Sequence, residues 1–453
     1  MSYEKLTKEI LSMEDEMVEG IRRIVAIDSI KGEPEEGAPF GAGPKKALVE
    51  TLKMAEEMGF KTGMVGNHVG YAEYGEGEEM VGVLGHLDVV PLGEGWIYPP
   101  FAGEIHDGIM YGRGVLDDKG PIIGALYCLK AIKNLGLKLD RRIRVMFGTD
   151  EESGSGCVKY YVESGAEMPT IGFTPDAEFP LIFFEKGTSN FTIGKKAPEM
   201  GRVISLQGGT ASNVVTPKCV LKVNGTLDVT ETEGVTVEEE DGVTTVTAIG
   251  NGAHGSTPEL GENAAIKLLA AVNDKDLGQD FDRMKAFLLE KLGTETCGKI
   301  LDVYYTDEET GETTVNLGMI RMDSAEMSFT LDIRYPKNAV KEDVKAHVTE
   351  AAKAYALDIL ACGQVDCLYV PKDSELVTKL TKVYRTCSGD ESAMPKAIGG
   401  GTYAKTFPNM VAFGPEFPGE PAPIHQPNEG ISVKRLLDGI AIVGCGMYEL
   451  AVK

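Results

Sequence analysis

The sequence predicts an α/β protein in two parts: a mainly parallel sheet flanked by helices, and an α+β domain inserted into it. Three observations carry that prediction. Short apolar runs alternate with helical patterns over the first ~180 residues, as in a parallel sheet with crossover helices. After residue 186 the pattern turns strand-rich, with Thr, Val and Gly prominent. The last stretch then returns to the style of the first part. A chain of 453 residues is also too long for one ordinary core. The expected division is 1–186 with 391–453 as one domain, and 187–390 as the insertion.

The elements follow in order. Leu6, Ile10, Met13, Met17, Ile21, Ile24 and Val25 recur at helical spacing, so an amphipathic helix opens the chain. A second helix is expected over 44–58 and stops at Gly59. VGVL at 81–84 reads as a short buried strand. A helix over 120–135 ends at Gly136, RIRVMFG at 142–148 is a second buried strand, and 171–174 is a third. Inside the insertion, GVTTVTAIG at 242–250 typifies the strand-rich stretch, and helices are expected over 264–272 and 281–292. SFTLDIRY at 328–335 alternates like a half-buried strand, with a helix at 340–354 behind it. The final helix is expected over 433–450. No internal repeat or low-complexity tract is evident.

Composition excludes several classes. Apolar residues at 42% and charged residues at 25% are ordinary for a globular chain, which argues against disorder. A formal net charge of -25 argues against nucleic acid or an anionic membrane as partner. No apolar run approaches the ~20 residues of a membrane span. The opening segment lacks the basic and apolar regions of a signal peptide, so a cytoplasmic location is the expectation. The eight cysteines include no Cys-x-x-Cys pair, which points to reduced, mostly buried thiols and not to a thiolate metal site.

Five motifs carry chemistry. GHLDVVP at 85–91 follows the strand at 81–84, and ligands of an open parallel sheet sit beyond the carboxyl ends of its strands. His86 is placed there to hold a metal, with Asp88 to accept from its other ring nitrogen. Alone, His-x-Asp is more often a solvated loop. YGRGVLDDKG at 111–120 pins two adjacent carboxylates, Asp117 and Asp118, which repel unless a cation compensates. Helix capping explains one of them and not the glycine-rich stretch around both. TDEESG at 149–154 follows another strand and offers one Glu for a metal and one for a proton. TPDAE at 174–178 follows the third, and HQPNE at 425–429 precedes the last helix. Each is weak alone. Together they place imidazole and carboxylate ligands at one end of one domain, enough for two metals with one shared carboxylate.

The order GHLDVVP, GRGVLDDKGP, GTDEESG, TPDAEFP, HQPNEG resembles the co-catalytic zinc peptidases of clan MH, the group of carboxypeptidase G, aminoacylase and bacterial dipeptidases. The likeness is strongest to the dipeptidase V type. It covers nearly the whole chain. It implies two divalent ions, zinc with manganese or cobalt as alternatives, with His86 and Asp176 on one, Glu152 and His425 on the other, and Asp117 bridging. It implies that Asp88 orients His86, that Glu151 is the general base for the bridging water, and that the Asp117–Asp118 peptide is cis. In the insertion, NGAHGSTP at 251–258 resembles the element whose His254 stabilises the oxyanion. Asn213 in GGTASNVVTP and Arg334 in LDIRYP match residues that hold a substrate carboxylate. GGGTY at 399–403 resembles a turn that lines the same pocket, through Gly400 and Thr402. Plain readings are a loop His for His254, an ion-paired strand Arg for Arg334 and an ordinary glycine turn. His68, His106 and His347 match no motif, and Trp96 is expected to pack a loop beside the site.

The resemblance implies a metal-dependent dipeptidase, with Xaa-His or β-alanyl dipeptides among its substrates. Residues 1–186 with 391–453 would carry the metals, 187–390 would form a substrate-binding lid, and the long lid favours a functional monomer. An N-acyl amino-acid or succinyl-diaminopimelate type deacylase would use the same metal chemistry. A non-catalytic peptide-binding protein would require a damaged ligand or base.

Overall fold

A computed structural model describes residues 3–453. Among the described residues its first unit comprises 3–184, 369–396 and 401–453, and its second 185–368 and 397–400.

The first unit is built on a sheet in the order Lys61–Val65, Val69–Tyr74, Arg142–Gly148, Met80–His86, Ile171–Thr174, Met410–Ala412, Ile182–Glu185, with further short strands at its edge. The four strands from Arg142–Gly148 to Met410–Ala412 run parallel. Antiparallel strands flank them. Every residue of Met80–His86 and Arg142–Gly148 is buried, as expected of parallel strands covered on both faces. Helix Lys119–Asn134 is apolar almost all round and packs on the sheet, on Glu14–Val25 and on the last helix, Val433–Ala451. The α/β class read from the sequence holds.

Three details differ from expectation. The opening helix is two helices, Tyr3–Leu11 and Glu14–Val25. The Ser12 hydroxyl donates to the Glu9 carbonyl at 2.7 Å, where such back-bonding competes with continuing the helix. The strands Lys61–Val65 and Val69–Tyr74 carry no buried apolar run, so periodicity did not reveal them. The second boundary between the units lies at 368/369 and not at 390/391. Helix Glu375–Ser388 buries Leu376, Val377, Leu380, Val383 and Tyr384 and packs against Val433–Ala451. An amphipathic pattern shows that a helix is half-buried, not which sheet it covers.

The second unit is an eight-stranded sheet, antiparallel throughout. Its central strands are Thr314–Met322 and Glu326–Tyr335. Helices Ala264–Ala271, Gln279–Lys291 and Lys341–Ala354 join its core, where Leu268, Phe281, Phe287 and Val348 are fully buried in one cluster with Phe329 and Leu331. Glu326–Tyr335 is buried at every residue but its first, instead of on alternate residues, because strands pair on both sides of it.

Candidate metal centre

The parallel strands of the first unit deliver its chemistry at their carboxyl ends. His86 is the last residue of Met80–His86, and Gly148 pairs beside it at the end of Arg142–Gly148. The chain leaves Gly148 into Glu151 and Glu152, and leaves Ile171–Thr174 into Asp176. Asp117 and Asp118 immediately precede helix Lys119–Asn134. The peptide between them is cis, as the resemblance implied.

Asp117 lies at the centre. Its Oδ1 is 3.0 Å from His86 Nε2, and its Oδ2 is 3.0 Å from His425 Nε2. The same His425 nitrogen is 3.1 Å from Glu152 Oε2, and His86 Nε2 is 3.8 Å from Asp176 Oδ2. One carboxylate thus presents an oxygen to each of two imidazoles, and each imidazole faces one further carboxylate. His425 adopts a left-handed φ of 61°, which a non-glycine residue holds at a cost, commonly at functional sites.

The tautomer of His86 follows from its partners. Its Nδ1 lies 2.9 Å from the Asp88 carbonyl oxygen, which can only accept, so Nδ1 carries the proton. In neutral His86 the Nε2 lone pair would then face the Asp117 carboxylate, lone pair against lone pair, unless a cation lies between them. His425 poses the same problem twice. Without an added cation the site must take up protons. Despite its burial, hydrogen bonding to Asp117 and nearby carboxylates raise the pKa of His86, and bonds to Asp117 and Glu152 push that of His425 up to about 10. Burial also drives Asp118 and Asp176 well above the carboxylate range. Divalent cations would supply the charge this cluster lacks. The donor set is all imidazole and carboxylate, which suits zinc, manganese or cobalt.

The surrounding groups hold this geometry. The Asp88 carboxylate does not take the His86 ring proton, since its Oδ1 lies 3.6 Å from Nδ1. Its two oxygens accept the backbone N–H groups of Glu151 and Glu152 at 3.0 and 3.2 Å. This corrects the expectation for Asp88: its carbonyl orients His86, and its carboxylate orients the two glutamates. Asp118 makes no helix-capping bond, which disposes of the plain reading. Its Oδ2 accepts the His86 N–H at 3.1 Å, while its buried Oδ1 has no hydrogen-bond partner. Gly85 permits this approach, since a Cβ there would meet Asp118 Oδ2 at 2.1 Å. Burial, opposed by His86 and reinforced by Glu152, Asp117 and Asp88, pushes Glu151 up to about 8.

Several residues here had no role in the sequence reading. Tyr403 is fully buried, its ring edge-on to His86 and its hydroxyl 3.4 Å from the Asp150 N–H. Glu429 is fully buried against Arg113 and the loop before Asp117. Both lie inside motifs already singled out, but nothing in the string marks them as buried. Trp96 packs over the Arg113 guanidinium at 5.3 Å. His68 stacks on Tyr160 and His106 on Tyr98, while His347 binds the Asp302 carbonyl. A cleft of about 1210 Å³ between Tyr3–Leu11, Glu375–Ser388 and the last helix is lined by none of the metal-cluster residues.

His254, Asn213 and Arg334 all belong to the second unit. Gly255 N donates to Asn213 O at 2.7 Å and Val215 N to Ala253 O at 2.9 Å, so 213–215 and 253–255 run side by side. His254 Nδ1 lies 2.6 Å from Ser256 Oγ and 3.3 Å from the Ser256 backbone nitrogen, so Ser256 holds that side of the ring and Nε2 is the nitrogen left for a further partner. Partial burial and then Arg334 hold its pKa below the usual value. Arg334 donates twice to Asp332, from Nε at 3.0 Å and Nη2 at 2.8 Å, and from Nη1 to Gly399 O at 2.7 Å. Two of its five N–H groups remain. Asp332 was not singled out in the sequence, although it stands two residues away on the same face of a strand. Gly400 falls in the second unit and Thr402 in the first, where its hydroxyl caps a short 3-10 turn by accepting the Ala404 N–H.

Known proteins match this chain along its length. The sequence profile of peptidase family M20/M25/M40 matches residues 82–447. A Bacillus subtilis (strain 168) protein named "Putative dipeptidase YtjP" is 34% identical over 463 residues, spanning 98% of this chain and 99% of that one. The fold is similar to that of human carnosine dipeptidase 1, with a TM-score of 0.62 and 17% identity over 100% of this chain and 99% of that one. It is also similar to the di-peptidase Dug1p from Saccharomyces cerevisiae, with a TM-score of 0.61 and 14% identity over 99% and 98% of the two chains. At those identities the likeness is one of fold. With the profile matched over most of its length and a relative this similar from end to end, the chain belongs to peptidase family M20/M25/M40.

Proposed function

We propose that this protein is a metal-dependent dipeptidase that hydrolyses the peptide bond of free dipeptides. The observation that carries the reading is Asp117, whose two oxygens each stand 3.0 Å from a different imidazole nitrogen. His86 and Asp176 would hold one divalent ion, Glu152 and His425 the other, and Asp117 both. Zinc suits these donors first, with manganese or cobalt as alternatives. Such ions, when bound, polarise a carbonyl and make water a nucleophile at neutral pH.

The chain's own residues supply the rest. Glu151 takes the proton of the attacking water and passes it to the leaving amine. The Asp88 carboxylate fixes the backbone of Glu151 and Glu152. The His254 Nε2–H donates to the oxyanion as charge develops there. Arg334 and Asn213 bind the free carboxylate of the dipeptide, with Gly400 and Thr402 lining its pocket. Asp332 holds the Arg334 fork in a fixed orientation. In this reading the first unit is the catalytic domain and the second the substrate-binding lid.

With His254 supplied by the long insertion of the same chain, the working state in this reading is a monomer, and its proposed location is the cytoplasm. Among the described residues no helix is long and apolar enough to cross a membrane.

The test is hydrolysis of a dipeptide panel, including Xaa-His and β-alanyl members, by metal-loaded protein with and without chelator. Chelator-sensitive release of two amino acids is expected. Two bound ions and no release from any dipeptide, with release of free acid from N-acyl amino acids, would replace the dipeptidase by a deacylase.

A further inference from the structure

The loop that presents Asp117 has no regular structure, yet it is buried from 112 to 118. Buried backbone N–H groups need acceptors, and such a loop cannot supply them from a ladder. One side chain supplies three. Glu429 Oε1 accepts from the N–H groups of Gly114, Leu116 and Asp117 at 3.0, 3.0 and 3.3 Å. Its Oε2 accepts from Arg113 Nη1 at 2.8 Å. Glu429 is 0% exposed and Arg113 1%. Arg113 is fixed in turn by the carbonyls of Pro91 and Leu92, at 3.3 and 3.4 Å, and by Trp96. The backbones are joined as well, with Gly112 N donating to Glu429 O at 3.0 Å and Gly430 pairing with Tyr111.

Glu429 stands four residues after His425. It is therefore carried by one ligand loop and grips the other, and one of its bonds is to the N–H of the bridging residue itself. His86 and Asp176, by contrast, are held by strand ends that Glu429 does not touch. We infer that Glu429 is a positioning residue that locks the Asp117 loop to the His425 loop, so that the Asp117–Glu152–His425 ion site, which takes two of its three ligands from those loops, loses the most affinity when Glu429 is removed. This rests on the two-metal reading above.

The experiment is calorimetric titration of metal-free protein with zinc(II), for wild type and three variants, each checked by circular dichroism and thermal unfolding. Wild type is expected to take two ions. Arg113→Met/Glu429→Met removes the carboxylate without leaving a buried charge unpaired. It is expected to keep one tight site and weaken the second about 10- to 100-fold, the usual range when a group that orients a ligand is lost. Glu429→Gln keeps an acceptor oxygen and should weaken the second site by less than the double variant does. Arg144→Met breaks a buried pair with Glu73 in the same sheet, and should lower thermal stability while leaving both zinc affinities unchanged. If the double variant does not fold, Glu429→Gln decides, and a wild-type second affinity there overturns the inference. A folded double variant with two wild-type affinities also overturns it, while wild type itself holds two ions. A wild type that takes fewer than two ions overturns the two-metal reading and this inference together.

Discussion

The metal cluster of the first unit and the loop pair of the second solve the same problem by opposite means. In the first, His86 leaves a strand buried at every residue, and its neighbours are fixed several times over. Asp88 grips two backbone N–H groups, Asp118 grips the His86 N–H, and Glu429 grips three more. In the second, His254 and Asn213 lie on short paired loop segments joined by two backbone bonds, and only Arg334 comes from a buried strand. In the proposed reading, groups that share a cation are set on sheet ends and cradled, and groups that meet a substrate sit where they can adjust.

That contrast can be broken at either end. Removal of metals by a chelator should abolish dipeptide hydrolysis, and reloading with zinc, manganese or cobalt should restore it. Persistent turnover in metal-free protein would place the chemistry outside the cluster. Glu151→Gln should lower kcat by about 10² to 10⁴ while both ions remain bound, as measured by metal content beside steady-state kinetics. His254→Ala should lower kcat by about 10² to 10³, since an oxyanion donor acts mainly in the transition state. Its metal content should not change, because His254 belongs to the other unit. Asn213→Ala should raise KM about tenfold with little effect on kcat, the signature of lost ground-state binding. An effect on kcat alone would move Asn213 from holding substrate to stabilising the transition state.

Much of the first unit is legible in the sequence, and for one reason. Its parallel strands are buried on both faces, so VGVL, RIRVMFG and IGFT stand out as apolar runs, and the motifs follow directly behind them. His86, Asp117, Glu152 and His425 each stand in such a motif, although the sequence does not show that they meet. The cradle was not legible. Asp118 and Glu429 stand inside chemistry-bearing motifs, but only the fold shows that their oxygens accept from buried N–H groups. His-x-Asp spacing pairs Asp88 with His86 but does not tell its carbonyl, which meets the ring, from its carboxylate, which meets the Glu151 and Glu152 N–H groups. In the second unit, Asp332 and Arg334 read as alternate residues of a strand, and their ion pair needed the side-chain directions.

The most direct test of a two-ion cluster bridged by Asp117 is to titrate metal-free protein with zinc while following hydrolysis of one cleaved dipeptide. Activity should rise until two ions are bound per chain and then stay level, and Asp117→Asn should destroy that end point. Full activity at one ion per chain, or an Asp117→Asn variant that binds two ions as tightly as wild type, would contradict it.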